Sequence, residues 1–130
     1  MRPSLVDTSS WVDFLRGDRA AVARVGALLD GGGALICGPI AAEVLSGART
    51  SAEYATLKDL FEGLDWVVEP DAVWSRVADY RFALARGGFR AGLVDLVIAA
   101  TALDSGLALL TRDRGFQRIR TVVPIELDLF

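Results

Sequence analysis

The segment from Leu93 to Phe116 restricts the possible fold most strongly, because it predicts a buried helix followed closely by a buried strand. Residues 93–103 are apolar on nearly every helical face and contain a single charge, Asp95. Residues 107–110 form a short apolar run, which predicts a strand with Asp113 beyond its carboxyl end. In open α/β sheets, sites form beyond the carboxyl ends of strands, so this segment offers two candidate site carboxylates.

Strands and helices alternate along the rest of the chain as well. Strands are predicted at residues 4–6, 34–37, 66–68, 107–110 and 121–123, with a loop after the fourth. Helices are predicted from residue 8 to before residue 17 and at 19–29, 38–47, 51–63, 71–86 and 93–103, with Asp71 capping the fifth. This alternation predicts an α/β fold, a three-layer sandwich with a mainly parallel sheet, in one domain over residues 1–130.

The composition excludes several kinds of catalytic site. The chain contains no histidine, and of its 14 basic residues all but Lys58 are arginine. A Ser/His/Asp triad, a Cys/His pair and a histidine-ligated zinc site are therefore excluded, so acid–base chemistry must rest on carboxylates, water or a metal. The net charge of −3 argues against a nucleic-acid ligand, unless the acids gather at one site and mask basic surface elsewhere.

Two further features bear on where the protein works. The single cysteine, Cys37, lies in an apolar run and is expected to be a buried free thiol. Because one cysteine cannot form an internal disulfide, we expect a cytoplasmic location. No apolar run is long enough to span a bilayer, so we expect no membrane partner.

Four acids stand out because of their predicted positions. Asp7 follows the first strand and Asp113 the fourth, whereas Glu43 and Asp95 lie near the starts of helices. Each has an ordinary explanation as a cap, a loop residue, a solvated helix residue or a charge that favours a helix N-terminus. A parallel sheet brings the carboxyl ends of its strands to one edge, where these acids would repel one another. Because oxygen-only ligands select Mg²⁺ or Mn²⁺ over zinc, the pattern predicts a magnesium or manganese site.

Four segments resemble, in order and in spacing, the four acidic motifs of PIN-domain nucleases. They are residues 5–9 (LVDTS), residues 40–45 (IAAEVL), residues 93–102 (LVDLVIAATA) and residues 110–113 (LTRD) followed by Phe116. The resemblance spans almost the whole chain, and the compact length resembles that of VapC-type toxins of bacterial toxin–antitoxin pairs.

The resemblance implies a metal-dependent ribonuclease that cleaves RNA phosphodiester bonds. It implies that Asp7, Asp95 and Asp113 bind Mg²⁺ or Mn²⁺, directly or through water. Glu43 would complete a second metal site or orient the attacking water. Thr8, Ser9 and Thr111 are expected to hold these ligands by hydrogen bonds, unless they serve only as caps and turn residues.

The resemblance also implies partners. These are an RNA substrate, a cognate antitoxin protein and a second copy of the chain in a homodimer. Arginines flank the acidic motifs, and we expect Arg90 and Arg112 to contact RNA phosphates, unless they are plain surface charges. The apolar stripe of Trp11, Phe14 and Leu15 is expected to belong to the core or, if part-exposed, to receive a helix of the antitoxin.

Two other functions remain open at this level. A phosphoryl-transfer domain of the haloacid-dehalogenase type needs a second Asp where Ser9 stands, and one of the receiver type needs a lysine after a late strand, whereas the only lysine is Lys58. A non-catalytic PIN-fold module for protein binding would not need four intact acids. Both alternatives therefore rank behind the ribonuclease.

Overall fold

The computed structural model describes residues 2–130, and Met1 lies outside the described part. Its centre is a five-stranded sheet with the order β3-β2-β1-β4-β5, in which every neighbouring pair is parallel. The strands are β1 (Ser4–Val6), β2 (Ala34–Cys37), β3 (Asp65–Val67), β4 (Ala108–Thr111) and β5 (Glu126–Leu129). This confirms the expected α/β class and the parallel sheet.

Seven helices connect and cover the strands. They are α1 (Thr8–Leu15), α2 (Arg19–Asp30), α3 (Gly38–Ser46), α4 (Ser51–Glu62), α5 (Val73–Arg86), α6 (Leu93–Ser105) and α7 (Gly115–Ile119). Helix α1 packs on α2 and α3, whereas α6 packs on α5 and α7. Because crossovers between parallel strands are right-handed, α1 to α4 cover one face of the sheet and α5 to α7 the other. The result is the expected three-layer sandwich.

The strand order reverses between β1 and β4. The chain first moves outward from β1 to β2 and β3, and then returns to the other side of β1 with β4 and β5. The two central strands are paired from Ser4 with Ala108 to Val6 with Leu110. Ligands of open α/β sheets bind at such a switch point, beyond the carboxyl ends of the strands.

Burial on both faces explains why the central strands are mostly apolar. Both faces of β1 and β4 are covered by helices, so Leu5, Val6, Leu109 and Leu110 are at most 1% exposed. Helix α6 is buried from Leu96 to Ala102, whereas its first turn is more open. Gly106 ends it in the left-handed conformation (φ 66°), as expected for a glycine C-cap. In the described part of the chain, no helix combines the length and apolar character needed to cross a bilayer.

The structure corrects the prediction for the last strand. Residues 121–123 form a turn after α7, a helix where a loop was expected, and the fifth strand is Glu126–Leu129. Val123 is fully buried, which explains its apolar character without a strand. Strand β5 lies at the sheet edge, and its acids pair with arginines: Glu126 with Arg2, and Asp128 with Arg24. An edge strand tolerates such polar residues, so its pattern does not resemble that of a buried strand.

The start of α5 also differs from the prediction. Asp71 does not cap the helix; the preceding residue is Ala72, in the left-handed conformation (φ 55°), and no side chain caps the first turn. The aspartate side chain is exposed instead.

Candidate active site

Two of the four predicted acids follow central strands, and the other two lie in the N-terminal parts of helices. Asp7 follows β1 directly, and Asp113 lies two residues beyond β4, the adjacent strand. Glu43 lies on α3, which follows β2, and Asp95 lies in the first turn of α6. The negative charges of the other three acids all act on Asp95, so the topology places the four around one region.

Asp7 is the most buried of the four. Its carboxylate oxygen Oδ2 accepts hydrogen bonds from Thr111 Oγ1 at 2.8 Å and from Ser9 Oγ at 3.1 Å. Burial raises the pKa of Asp7 and outweighs the hydrogen bonds from Thr111, Thr8 and Ser9, which lower it. Asp7 is therefore a buried carboxylate whose position is fixed by hydroxyl groups.

The two hydroxyls that hold Asp7 are themselves held by the turn after β4. Ser9 Oγ accepts the backbone N–H of Arg112 at 3.1 Å, and Thr111 Oγ1 accepts that of Asp113 at 2.9 Å. The two hydroxyl oxygens lie 3.2 Å apart. This network ties the carboxylate that follows β1 to the turn after β4 that carries Asp113.

Glu43 and Asp113 are exposed carboxylates with one clear partner each. Glu43 Oε1 accepts a 2.7 Å hydrogen bond from Thr8 Oγ1. Asp113 Oδ1 accepts the backbone N–H of Gly115 at 2.8 Å, and a β-carbon on Gly115 would lie only 3.1 Å from the same oxygen. Thr8 and Gly115 therefore each hold one oxygen of these carboxylates.

Asp95 differs from the other three acids in having no stabilising partner. In residues 2–130 its half-buried carboxylate accepts no hydrogen bond and pairs with no arginine or lysine. Burial raises its pKa to about 6, and the charges of Asp7, Asp113 and Glu43 add to the rise. Burial, the lack of a hydrogen-bond donor and repulsion by the other acids all destabilise the charged form of this carboxylate. A bound cation would stabilise it.

The donor set fits a hard divalent cation in its chemistry. It consists of carboxylate oxygens with hydroxyl neighbours, and histidine is absent. The carboxylates do not form a closed coordination shell as they stand, since within the described residues no three Asp, Glu or Cys side chains meet closely enough to hold a metal ion. Cys37 is no candidate ligand, because burial raises the pKa of its thiol to about 11.

The structure gives Arg112 partners other than RNA. Its guanidinium pairs with Asp13 at 3.3 Å and with Asp18, and it lies over the ring of Phe130, 4.7 Å from the centroid. Asp18 caps α2, and its pKa is lowered by the backbone N–H of Ala21 and by Arg112. Arg112 therefore links α1, α2 and the chain end, and these partners compete with the phosphate contact predicted for it, whereas Arg90 is exposed.

The apolar stripe after Asp7 divides between core and surface. Trp11 is fully buried and packs on Phe61 with ring centroids 5.1 Å apart, so it offers no docking surface. Leu15 is 44% exposed and lines a groove of about 500 Å³ with Val44 and Glu43. An accessible apolar surface thus exists near the acids, one helical turn beyond Trp11.

The loop between α5 and α6 lies next to two of the acids, and Arg90 is the one residue of this loop that the sequence analysis singled out. A β-carbon on Gly92 would lie 3.9 Å from Asp95 Oδ2, and one on Gly115 would lie 3.9 Å from the ring of Phe89. Residues 87–92 therefore border both Asp95 and Asp113. The glycines at 87, 88 and 92 predict a turn around Phe89 and Arg90. They do not show which other parts of the chain this turn contacts.

Comparisons with known proteins identify the family and the fold. The sequence matches the PIN domain family over residues 4–122. Ribonuclease VapC11 of Mycobacterium tuberculosis is 37% identical over 132 residues, covering 97% of this chain and 98% of that protein. VapBC2 from Rickettsia felis, bound to a DNA fragment from its promoter, gives a TM-score of 0.78 at 18% identity and covers 98% of each chain. A second solved structure is VapBC-5 from Mycobacterium tuberculosis, of the VapBC family of toxin–antitoxin systems, with a TM-score of 0.67, 22% identity and full coverage of both chains. The chain therefore belongs to the PIN domain family, and VapC ribonucleases are its relatives over nearly its full length.

Proposed function

We propose that this chain is a metal-dependent endoribonuclease and the toxin of a toxin–antitoxin pair. The observation that carries the proposal is Asp95, a half-buried carboxylate without a hydrogen-bond donor, whose pKa is raised by burial and by the charges of Asp7, Asp113 and Glu43. The 37% identity to a protein named as a ribonuclease, Ribonuclease VapC11, supports the same activity. In this proposal the protein acts on RNA in the cytoplasm, where it inhibits translation and growth.

The residues divide into metal ligands and groups that orient them. Asp7, Asp95 and Asp113 would hold Mg²⁺ or Mn²⁺, which when bound supplies a nucleophilic water at neutral pH and neutralises charge on the phosphate. The hydroxyls of Ser9 and Thr111 keep the Asp7 carboxylate in place.

Glu43 has the position expected of a group that orients the attacking water or completes a second metal site. Its carboxylate is exposed, and one oxygen is fixed by Thr8, which leaves the other oxygen available to accept a proton or bind a water. In this proposal the nucleophile is a water activated by the metal and by a carboxylate, so no histidine is required as a base.

The RNA backbone would reach the acids past the loop of residues 87–92. Arg90 is exposed on this loop, which borders Asp95 and Asp113, so its guanidinium can hold a phosphate by bidentate hydrogen bonds. Because salt screens distant charges, a phosphate interacts mainly with charges close to it, such as that of Arg90. The net charge of −3 therefore does not argue against RNA binding.

The antitoxin would occupy the groove lined by Leu15, Val44 and Leu57, which Glu43 also lines. An amphipathic helix can bury its apolar face there and extend a cation into the acids. Solved structures of VapBC complexes share the fold of this chain and support a protein partner of this kind. A homodimer would use a different surface, where Trp74 and Phe82 of α5 and Val94 of α6 are exposed.

A cleavage assay with the purified chain tests the proposal. Single-stranded RNA incubated with the protein should remain intact in EDTA and be cut when Mg²⁺ or Mn²⁺ is added. Ca²⁺, which also binds carboxylates but activates bound water less well, serves as the ion control. Cleavage that persists in excess chelator, or RNA left intact at every metal concentration, would contradict the proposal, and the second result would favour the non-catalytic binding module.

A further inference from the structure

The ring of Phe89 lies beside Asp113. It approaches within 3.9 Å of the position of a β-carbon on Gly115, and the N–H of Gly115 is bonded to Asp113 Oδ1 at 2.8 Å. The backbone of Gly88 before it has φ 89°, a left-handed turn that brings the loop back over α7. An aromatic ring is thus placed next to an acid of the proposed active site.

Arg118 of α7 covers this ring. Its Cζ atom lies 5.1 Å from the centroid of Phe89, and its Nη2 donates a 3.5 Å hydrogen bond to the carbonyl of Gly87. Unlike Arg112, which pairs with two carboxylates, Arg118 has no carboxylate within 4.0 Å among residues 2–130. The ring therefore orients an exposed guanidinium that has no carboxylate partner, on the helix that follows Asp113.

We propose that Arg118 and Phe89 form a stacking platform for one unpaired base of the RNA, next to the phosphate that is cut. The inference rests on the proposed function and names its substrate class as single-stranded RNA. A guanidinium plane supported on an aromatic ring can stack on the face of any base, whereas both faces of a base inside a duplex are already covered. The platform therefore favours single-stranded RNA without reading the identity of the base.

The test compares two substitutions with a matched control. Arg118→Ala and Phe89→Leu remove the two halves of the platform. Arg76→Ala removes a similar pair, since Arg76 lies over the ring of Tyr80 at 5.9 Å and contacts Asp104 near the far end of α6. Each protein is assayed with Mg²⁺ on a fluorescent single-stranded RNA, and on RNAs in which one nucleotide at a time near the cut is abasic.

The platform makes a coupled prediction. Arg118→Ala and Phe89→Leu should raise KM for intact RNA about tenfold, as loss of one stacked base does, with kcat nearly unchanged. Arg76→Ala should match the wild type. One abasic position should cost the wild type a similar factor but cost Arg118→Ala almost nothing, because the same contact is already lost. Arg118→Lys should not restore KM, since an ammonium keeps the charge but lacks the plane.

Three results with the variants would overturn the platform, and so would one result with the wild type. The three variant results are additive losses from Arg118→Ala and the abasic site, full rescue by lysine, and unchanged KM in Arg118→Ala. If Phe89→Leu does not fold, the exposed Arg118 still decides the question. A wild-type protein that cuts intact RNA but ignores every abasic site refutes the platform alone, whereas one that neither binds nor cuts RNA refutes the proposed function as well.

Discussion

The hydroxyl of Thr111 donates a 2.8 Å hydrogen bond to the carboxylate of Asp7, although the two residues are 104 positions apart. The bond crosses between the carboxyl ends of β4 and β1, the strands on either side of the switch point. It is supported by Ser9, which donates to the same oxygen. The position of the most buried acid is therefore set jointly by the first and fourth strands.

Removal of this hydroxyl should weaken metal binding. Thr111→Val keeps the shape but leaves Asp7 with one hydroxyl donor fewer, so we expect a 10- to 100-fold loss of Mn²⁺ affinity or activity, about the usual effect of losing a group that orients a ligand. Calorimetric titration and cleavage rates measure it. Thr101→Val is the control, because Thr101 is also buried but bonds only to the Val97 carbonyl of its own helix. Equal losses in both variants would count against the role of Thr111.

The pKa of Asp95, raised to about 6, predicts that the metal-free protein loses stability as the pH rises. In the unfolded chain the group titrates near its ordinary value of 3.8, so between about pH 4 and 6 the folded state retains a proton that the unfolded state has lost. The free energy of unfolding should fall across this window and level off above it. Asp95→Asn should remove much of the fall and be more stable than the wild type at pH 7. Thermal unfolding in EDTA from pH 4 to 8 tests this, and a fall of the same size in Asp95→Asn would contradict it.

Arg112→Ala should affect stability rather than RNA binding. The substitution removes ion pairs to Asp13 and Asp18 and the contact with Phe130, so the melting temperature should fall by several degrees. The salt dependence of RNA binding should stay unchanged, because no phosphate contact is lost. Arg90→Ala serves as the comparison and should make that dependence shallower by about one counterion. A shallower slope in Arg112→Ala at unchanged stability would restore Arg112 as a phosphate contact.

The groove beside α1 should be needed for the protein partner but not for folding. Leu15→Arg should weaken binding of the antitoxin while leaving RNA cleavage intact. Val22→Arg on α2, at the same 44% exposure, should affect neither. Pull-down with the co-expressed antitoxin measures the difference, and equal retention by both variants would exclude this groove.

Trp11→Ala, by contrast, should destabilise the fold by about 3–5 kcal/mol, because the ring is fully buried.

Local patterns were sufficient for the elements closest to the site. The long apolar run of α6, its terminal glycine and the short strand before Asp113 each produce a distinct signal, and the structure confirms them. Asp7 could be placed for the same reason, since it directly follows an apolar strand. The parallel arrangement then brings these acids to one edge, which follows from the alternation of strands and helices.

Features that depend on distant partners could not be predicted in this way. In the sequence, Arg112 is an arginine next to an acidic motif, as expected of a phosphate contact. Only the fold brings Asp13 and Asp18 to its guanidinium. The last strand is predicted at residues 121–123 because the buried Val123 gives that segment an apolar pattern. The observed strand β5 is at the sheet edge and contains polar residues, so its pattern does not indicate a strand. Phe89 gave no signal, since its approach to Gly115 depends on the packing of two loops.

The central claim is that Asp95 is a ligand of the catalytic metal, and a comparison of two aspartates on the same helix tests it most directly. Asp95→Asn and Asp104→Asn make the same chemical change at opposite ends of α6, and Asp104 is an exposed residue paired with Arg76. Mg²⁺-dependent RNA cleavage should fall at least about 100-fold in Asp95→Asn, more than loss of a merely orienting group costs, and remain at the wild-type rate in Asp104→Asn. Wild-type cleavage by Asp95→Asn would contradict the account.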